Sequence, residues 1–207
     1  MALTFSPTLT KEEVNLYPLF KYSGEIVLVQ EEEELPPALE RLREEPFLGF
    51  DTETKPSFRK GTSYSPSLLQ LAAEKTVYIF QLTRLALDAR LTAILSNPAC
   101  VKAGVGIAED MRSLRALCDF QPGCLVDLSD LARSHKIGMR SLRGLAACFL
   151  NVRISKSERC SNWGAERLHP RQIVYAATDA WISRQIYMRA RALGLADELP
   201  GKERKSG

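Results

Sequence analysis

The apolar residues of this chain fall into short runs of four to seven positions, separated by longer stretches in which apolar positions recur with a helical period. Runs of this length predict buried β-strands, and the periodic stretches predict amphipathic helices. Six strands are predicted, at residues 25–30, 47–53, 67–73, 76–80, 100–105 and 124–127. Six helices are predicted, at residues 33–44, 88–95, 107–117, 128–134, 141–149 and 171–193.

The order of these elements predicts an α/β fold built around a mixed sheet. Strands 47–53, 67–73 and 76–80 follow one another without a helix between them, which favours antiparallel pairing. Strand 100–105 leads directly into a helix, which favours a parallel crossover. We therefore expect a mixed β-sheet in which this first group of three strands is antiparallel and the later strands are parallel, with helices on its flanks.

Length and composition indicate one domain whose cysteines are reduced. The chain has 207 residues, of which 45% are hydrophobic and 26% charged, and its net charge of +3 neither requires nor excludes a nucleic-acid partner. Five cysteines without a Cys-x-x-Cys pair, and only two histidines, argue against a disulfide framework and a zinc site. Met1 is followed by polar and acidic sequence, and no apolar run approaches the roughly eighteen residues of a membrane span, so we expect a cytoplasmic protein.

Carboxylates in three separated sequence signatures are the candidate site residues. Asp51 and Glu53 lie two apart at the end of a predicted strand, so both point to the same face. Tyr175 and Asp179 lie four apart on one face of the last predicted helix, and Asp110 follows strand 100–105. Four hard oxygen ligands predict a site for two divalent ions, Mg²⁺ or Mn²⁺. Crowded carboxylates should also have raised pKa values when no metal is bound.

Five further short segments of the chain lie within, between or beside these signatures. They are residues 50–56, 69–71, 102–107, 141–145 and 161–163. With the carboxylates, they resemble the DEDD exonuclease superfamily, and most of all its Werner-type exonuclease domain; ribonuclease D is another member. The resemblance covers about residues 25–192 and implies a ribonuclease H-like fold. Tyr175 stands four residues before Asp179 and position 174 is Val, which is the pattern of the tyrosine subclass.

The resemblance also implies a role for each residue of the site. Asp51 is expected to bridge both ions, Glu53 and Asp179 to complete the first ion's shell, and Asp110 to hold the second. Tyr175 is expected to orient the attacking water, because a phenol with a pKa near 10 is a poor base at neutral pH. The expected reaction is a metal-dependent 3′-to-5′ exonuclease hydrolysis that releases nucleoside 5′-monophosphates from the 3′ end of DNA or RNA.

Substrate contacts are predicted from residues near the signatures. Thr54, Lys55 and Lys60 lie in or next to a loop rich in Ser, Thr and Gly, where cations can bind the substrate backbone. Trp163 is a candidate for stacking on a terminal base, although a large aromatic residue is more often part of a core. Segment 153–159 is a second candidate phosphate contact, with a solvated loop as the alternative.

Competing interpretations follow from the same residues. Gly104-Val-Gly106 is not a dinucleotide loop, because Glu109 occupies the third glycine position; close packing of strand against helix explains it better. Asp127 is left out of the site and is a candidate helix N-cap. A binding module without catalysis and an endonuclease of the wider ribonuclease H-like group are the rival functions. The predicted domains are an N-terminal extension (1–24), an exonuclease domain (25–195) and a basic, frayed tail (196–207).

Overall fold

A six-stranded mixed sheet organises the molecule, which is described by a computed structural model over residues 8–57, 61 and 63–196. Its strands are β1 (Glu25–Val29), β2 (Phe47–Thr54), β3 (Pro66–Ala72), β4 (Thr76–Gln81), β5 (Val101–Gly104) and β6 (Leu125–Asp127). They lie side by side in the order β1-β4-β3-β2-β5-β6. All six predicted strands are therefore present.

Strand pairing confirms the mixed sheet. β2 pairs antiparallel with β3, and β3 pairs antiparallel with β4, while β5 and β6 add in parallel on the other side of β2. β1 lies at the edge and runs parallel to β4. Because β2 lies in the middle of the sheet, the end of this strand, which carries Asp51 and Glu53, is surrounded by structure on both sides.

Seven α-helices occur in the described residues. They are α1 (Lys11–Leu16), α2 (Leu35–Arg43), α3 (Ala89–Ser96), α4 (Ile107–Arg115), α5 (Leu128–Ser134), α6 (Leu142–Leu150) and α7 (Pro170–Ala192). Helix α1 was not predicted; its Thr10 N-cap and Glu13 form a reciprocal capping box that stabilises the first turn. Asp127 caps α5 by accepting hydrogen bonds from the backbone N–H groups of Ser129 and Asp130, as predicted.

Helices cover both faces of the sheet. Alternate residues of β2 separate the two layers: Leu48 and Phe50 belong to the core that includes α2, α3 and α4, whereas Phe47 packs with α5, α6 and α7. Gly49, Asp51 and Glu53 share the Phe47 face, so the candidate carboxylates of β2 lie on the side of α7. Within the described residues, none of the helices combines the length and the apolar character needed to cross a membrane.

The N-terminal segment packs onto the domain. Phe20 stacks on Trp181 of α7, with ring centroids 5.1 Å apart, and the N–H of Tyr22 donates to Thr178 Oγ1 at 3.0 Å. At the other end of the chain, the predicted basic tail lies outside the described residues except for Ala196.

Candidate active site

Asp51, Glu53 and Asp179 meet where β2 ends beneath α7. A ligand oxygen of each carboxylate lies within 4.8 Å of the others. The close approach of strand and helix depends on Gly49, where a Cβ would lie only 2.0 Å from the carbonyl oxygen of Ala180. Gly49 was not singled out from the sequence, because the reason for a glycine at this position is a contact with a helix more than 130 residues later.

Asp110 reaches the same region from the opposite face of β2. It lies in the first turn of α4, and its Oδ1 accepts a hydrogen bond from Thr52 Oγ1 at 2.7 Å. Thr52 lies between Asp51 and Glu53 and points away from them, because side chains alternate along a strand. The position of Thr52 inside the Asp-Thr-Glu signature was a sequence signal for its contact with Asp110, but this contact was not predicted.

The turn that carries Asp110 requires its glycines. Gly106 is the N-cap of α4 and has φ of 72°, a left-handed conformation that costs little only without a Cβ. A Cβ at Gly104 would lie 2.7 Å from the carbonyl oxygen of Phe50. Close packing of β5 against β2 therefore explains this glycine, whereas close packing of strand against helix was expected from the sequence.

Burial and mutual repulsion raise the pKa values of the clustered carboxyls. Burial is the main cause for Asp51, and the charges of Asp179 and Asp110 add to it. Burial and the charge of Asp51 raise the pKa of Glu53 to about 10. Burial raises the pKa of Asp179 to about 7, against a hydrogen bond from Tyr175 that lowers it. The predicted crowding is confirmed, and the charge of Asp110 contributes to the raised pKa values of Asp51 and Glu53 although its oxygens lie outside the three-residue group.

The donor set fits divalent cations. Asp179 is only 7% exposed, and its Oδ1 is buried without a hydrogen-bond partner. A buried oxygen without a partner is costly unless something binds it, and a divalent ion would both bind it and neutralise the neighbouring charges. Carboxylate oxygens alone, without nitrogen or sulfur in the group, are ligands typical of Mg²⁺ and Mn²⁺ rather than of zinc.

Tyr175 borders this cluster on α7. Burial and the nearby charges of Asp179 and Glu53 raise the pKa of its phenol well above the ordinary value, so the hydroxyl keeps its proton at neutral pH. Its ring packs against the indole of Trp163, with centroids 5.9 Å apart and planes at 41°. The phenol is thus fixed as a hydrogen-bond donor and acceptor and is not a base.

Trp163 is a core residue, and its predicted contact with a base is wrong. The side chain is fully buried in the cluster between the sheet and α7, so it presents no surface on which a base could stack. Burial of a large aromatic ring, the alternative considered from the sequence, explains this position. Its effect on the site is indirect, through the ring of Tyr175.

Three further predicted substrate contacts lie at or after the end of β2. Thr54 is the last residue of β2 and is half-buried, whereas Lys55 is exposed, with its Nζ 5.3 Å from the centre of the Tyr64 ring. Lys60 lies outside the described residues. The contacts of Thr54 and Lys55 with substrate stay predictions.

The sequence profile of the 3′-5′ exonuclease family matches residues 26–191. The chain belongs to this family. Among curated relatives of the chain, the mouse bifunctional 3′-5′ exonuclease/ATP-dependent helicase WRN is 34% identical over 161 residues, covering 74% of the chain and 11% of the relative. Ribonuclease D of Gluconacetobacter diazotrophicus is 32% identical over 165 residues, covering 78% of the chain and 41% of the relative.

Solved structures place the fold in the same group. The exonuclease domain of Nibbler from Aedes aegypti superposes with a TM-score of 0.74 at 22% identity, over 82% of this chain and 89% of that one. The expected ribonuclease H-like exonuclease fold is thereby confirmed. The chain spans less than half the length of the two curated relatives named above.

Proposed function

We propose that the protein hydrolyses the terminal phosphodiester at the 3′ end of a nucleic-acid strand and releases nucleoside 5′-monophosphates. The observation that supports this most strongly is the meeting of Asp51, Glu53 and Asp179, with ligand oxygens within 4.8 Å of one another, in a member of the 3′-5′ exonuclease family. The same three carboxylates, with Asp110 and Tyr175, are those that the resemblance to the tyrosine subclass predicts.

Two divalent ions, Mg²⁺ or Mn²⁺, are part of the proposal. Asp51, Glu53 and Asp179 would hold one ion, and Asp51 and Asp110 would hold the second. When bound, such ions supply an activated nucleophile, neutralise developing charge on the phosphoryl oxygens and stabilise the leaving oxygen. Burial raises the pKa of Asp110, and the hydrogen bond from the Thr52 hydroxyl opposes this rise. The hydrogen bond thereby orients Asp110 and favours the ionised form that binds a cation.

Tyr175 is assigned a positioning role. Its hydroxyl keeps its proton, so it can donate a hydrogen bond to Asp179 and accept one from the attacking water. Since Trp163 packs against the ring, the hydroxyl is held in one place, and a fixed orientation of the nucleophile accelerates hydrolysis without any transfer of the phenolic proton.

Two rival functions are weighed against this proposal. A binding module that has lost catalysis would have no reason to keep a buried, unpartnered oxygen on Asp179 among raised-pKa carboxyls, because that arrangement destabilises the fold. An endonuclease of the wider group is disfavoured by the tyrosine-subclass helix. We also propose a cytoplasmic location, which agrees with the cysteines Cys100, Cys118, Cys124 and Cys160 being thiols rather than disulfides.

The test is a time course on single-stranded DNA and RNA of matched sequence, labelled at the 5′ end, with Mn²⁺, Mg²⁺ or EDTA. Wild type is compared with Asp51→Asn and with Asp119→Asn, which removes one negative charge at an exposed site of α4's C-terminal loop. We expect a metal-dependent ladder that shortens from the 3′ end, retained in Asp119→Asn and lost in Asp51→Asn. The preferred polymer identifies the sugar that the site accepts.

Three outcomes would contradict the proposal. If Asp51→Asn produced the ladder at the same rate as the wild type, the carboxylate site would have no part in the reaction. Binding of either polymer without any hydrolysis by wild type would favour the binding module. Cleavage of a circular single strand would favour the endonuclease.

A further inference from the structure

A cavity of about 580 Å³ opens beside the Tyr175–Asp179 pair. Three parts of the chain line it: residues 19–21 of the N-terminal segment, the loop residues Ser155, Ser157 and Glu158, and one face of the first turns of α7 from Arg171 to Asp179. The volume lies in the range of about 300–1,000 Å³ that is usual for small-ligand sites. Residues 19–21 precede the part of the chain that matches the exonuclease family, so the family profile does not account for this wall.

The N-terminal wall is held on both sides. The N–H of Phe20 donates to the carbonyl of Arg153 at 2.8 Å, and the N–H of Arg153 donates to Pro18 at 2.9 Å. On the other side, Tyr22 is hydrogen-bonded to Thr178 of α7 at 3.0 Å, and Phe20 stacks on Trp181. Because these contacts fix the wall, the cavity exists before any ligand arrives, which lowers the entropic cost of binding.

The lining combines cations, hydroxyls and apolar surface. Lys21 and Arg171 are exposed, and neither forms an ion pair with a carboxylate in the residues that the structure describes. Ser155 and Ser157 contribute hydroxyls, with their Oγ atoms 3.0 Å apart. Leu19 is 44% exposed and contributes apolar surface to the lining.

This combination matches the chemistry of a nucleotide. Two cations without a carboxylate partner among the described residues suit a phosphate, serine hydroxyls suit phosphate or sugar oxygens, and an apolar wall suits the face of a base. Glu158 is the one carboxylate of the lining apart from Asp179. Its negative charge would repel a phosphate, which favours a phosphate position next to Lys21 and Arg171.

We propose that this cavity binds one nucleotide of the substrate strand next to the reacting bond, with Lys21 and Arg171 contacting its phosphate. The inference rests on the proposed function, since it places the strand across Tyr175 and Asp179. It assigns the N-terminal segment a part in substrate binding. It also makes Lys21 and Arg171, rather than the loop after β2 alone, contributors to affinity.

The test measures binding of a fluorescein-labelled single-stranded oligonucleotide by anisotropy, in EDTA and over a series of salt concentrations. Wild type is compared with Lys21→Ala, Arg171→Ala and the double variant. Lys75→Ala is the matched control, because it removes the same charge from an exposed turn between β3 and β4, at the end of the sheet away from Asp51 and Glu53. All these side chains are exposed, so thermal unfolding should be the same in every variant.

Each cavity substitution is expected to weaken binding by about threefold to tenfold and to reduce the slope of log affinity against log salt by about 0.7, as for one lost contact with a single-stranded phosphate. The double variant should lose both contributions, whereas Lys75→Ala should bind like wild type. Equal affinity and equal salt slope in Lys21→Ala, Arg171→Ala and Lys75→Ala would overturn the inference.

The design separates this inference from the proposed function. Binding in EDTA does not depend on hydrolysis, and hydrolysis by wild type is measured in a parallel sample with Mn²⁺. Weakened binding of the cavity variants together with an inactive wild type would support the cavity assignment and contradict the exonuclease. An active wild type whose cavity variants bind normally would contradict only the cavity assignment.

Discussion

Replacement of Asp179 by asparagine should stabilise the metal-free protein while preventing metal binding. Asparagine keeps the shape of the side chain and can accept the hydrogen bond that Tyr175 donates, but it carries no charge. In the wild type the carboxyl is buried at 7% exposure, with one oxygen unpartnered. The substitution therefore removes a buried negative charge from a cluster of carboxylates, which should favour the folded state.

The size of the effect follows from the pKa of Asp179. In the folded protein this pKa is raised from 3.8 to about 7 by burial, so the folded state binds the proton more tightly than the unfolded state. Stability is then highest below pH 3.8, falls as pH rises toward 7 and stays low above it. At about 1.4 kcal/mol per pKa unit, ionised Asp179 destabilises the fold by about 4 kcal/mol.

Urea unfolding in EDTA measures this difference at two pH values. Asp179→Asn should exceed the wild type in free energy of unfolding by about 1–2 kcal/mol at pH 5 and by about 4 kcal/mol at pH 8. Adding Mn²⁺ at pH 8 should stabilise the wild type and leave the variant unchanged, because the variant lacks a ligand. Asp119→Asn, at an exposed site, should behave like the wild type in all conditions.

A variant that is less stable than the wild type at pH 8 would refute the reasoning. An advantage that does not change between pH 5 and pH 8 would do so as well, because it would trace the effect to packing rather than to ionisation.

Three further predictions concern residues around the same site. Gly49→Ala should destabilise the fold by about 3 kcal/mol or more in urea unfolding, since its Cβ would meet the backbone of α7. Thr52→Val should keep the fold but lower the affinity for Mn²⁺ about tenfold in calorimetric titration, because Asp110 loses its hydroxyl donor. Tyr175→Phe should reduce kcat, and it should shift the onset of Mn²⁺ binding to higher pH, because the lost hydrogen bond had lowered the pKa of Asp179.

Each of these three predictions has a control variant or an outcome that would contradict it. Gly164→Ala should be tolerated, as its Cβ would lie 3.3 Å from the flexible side chain of Lys55 and nearer to no other atom. Thr76→Val removes a similar hydroxyl donor, 2.6 Å from Glu25 at the far end of the sheet, and should leave Mn²⁺ affinity unchanged. For Tyr175→Phe, a normal kcat would remove the positioning role, and an unchanged pH dependence of Mn²⁺ binding would remove the hydrogen bond to Asp179.

Local periodicity was sufficient to predict most of the site. Asp51 and Glu53 share a face because a strand has a period of two, and Tyr175 and Asp179 share a face because a helix has a period near 3.6. The three antiparallel strands were also predictable, because no helix separates them in the chain. These features depend on residues that are close together in the chain, so the sequence alone is sufficient to predict them.

Contacts between distant segments could not be predicted in this way. Gly49 is explained only by the crossing of α7, and the parallel pairing of β1 with β4 depends on where a strand of the N-terminal half is placed in the finished sheet. The burial of Trp163 and the wall formed by residues 19–21 are of the same kind. Periodicity shows which face of an element is apolar but does not show which distant segment covers it.

The most direct test of the central claim is a crystal structure of the wild type soaked with Mn²⁺, with anomalous scattering used to locate the ions. The account predicts two anomalous peaks about 3.5–4 Å apart, both in contact with Asp51, one of them also touching Glu53 and Asp179 and the other on the side of Asp110. Asp51→Asn under the same conditions should lose both peaks. An absence of Mn²⁺ at these carboxylates in the wild type, or an ion bound elsewhere while Asp51 stays bare, would contradict the account.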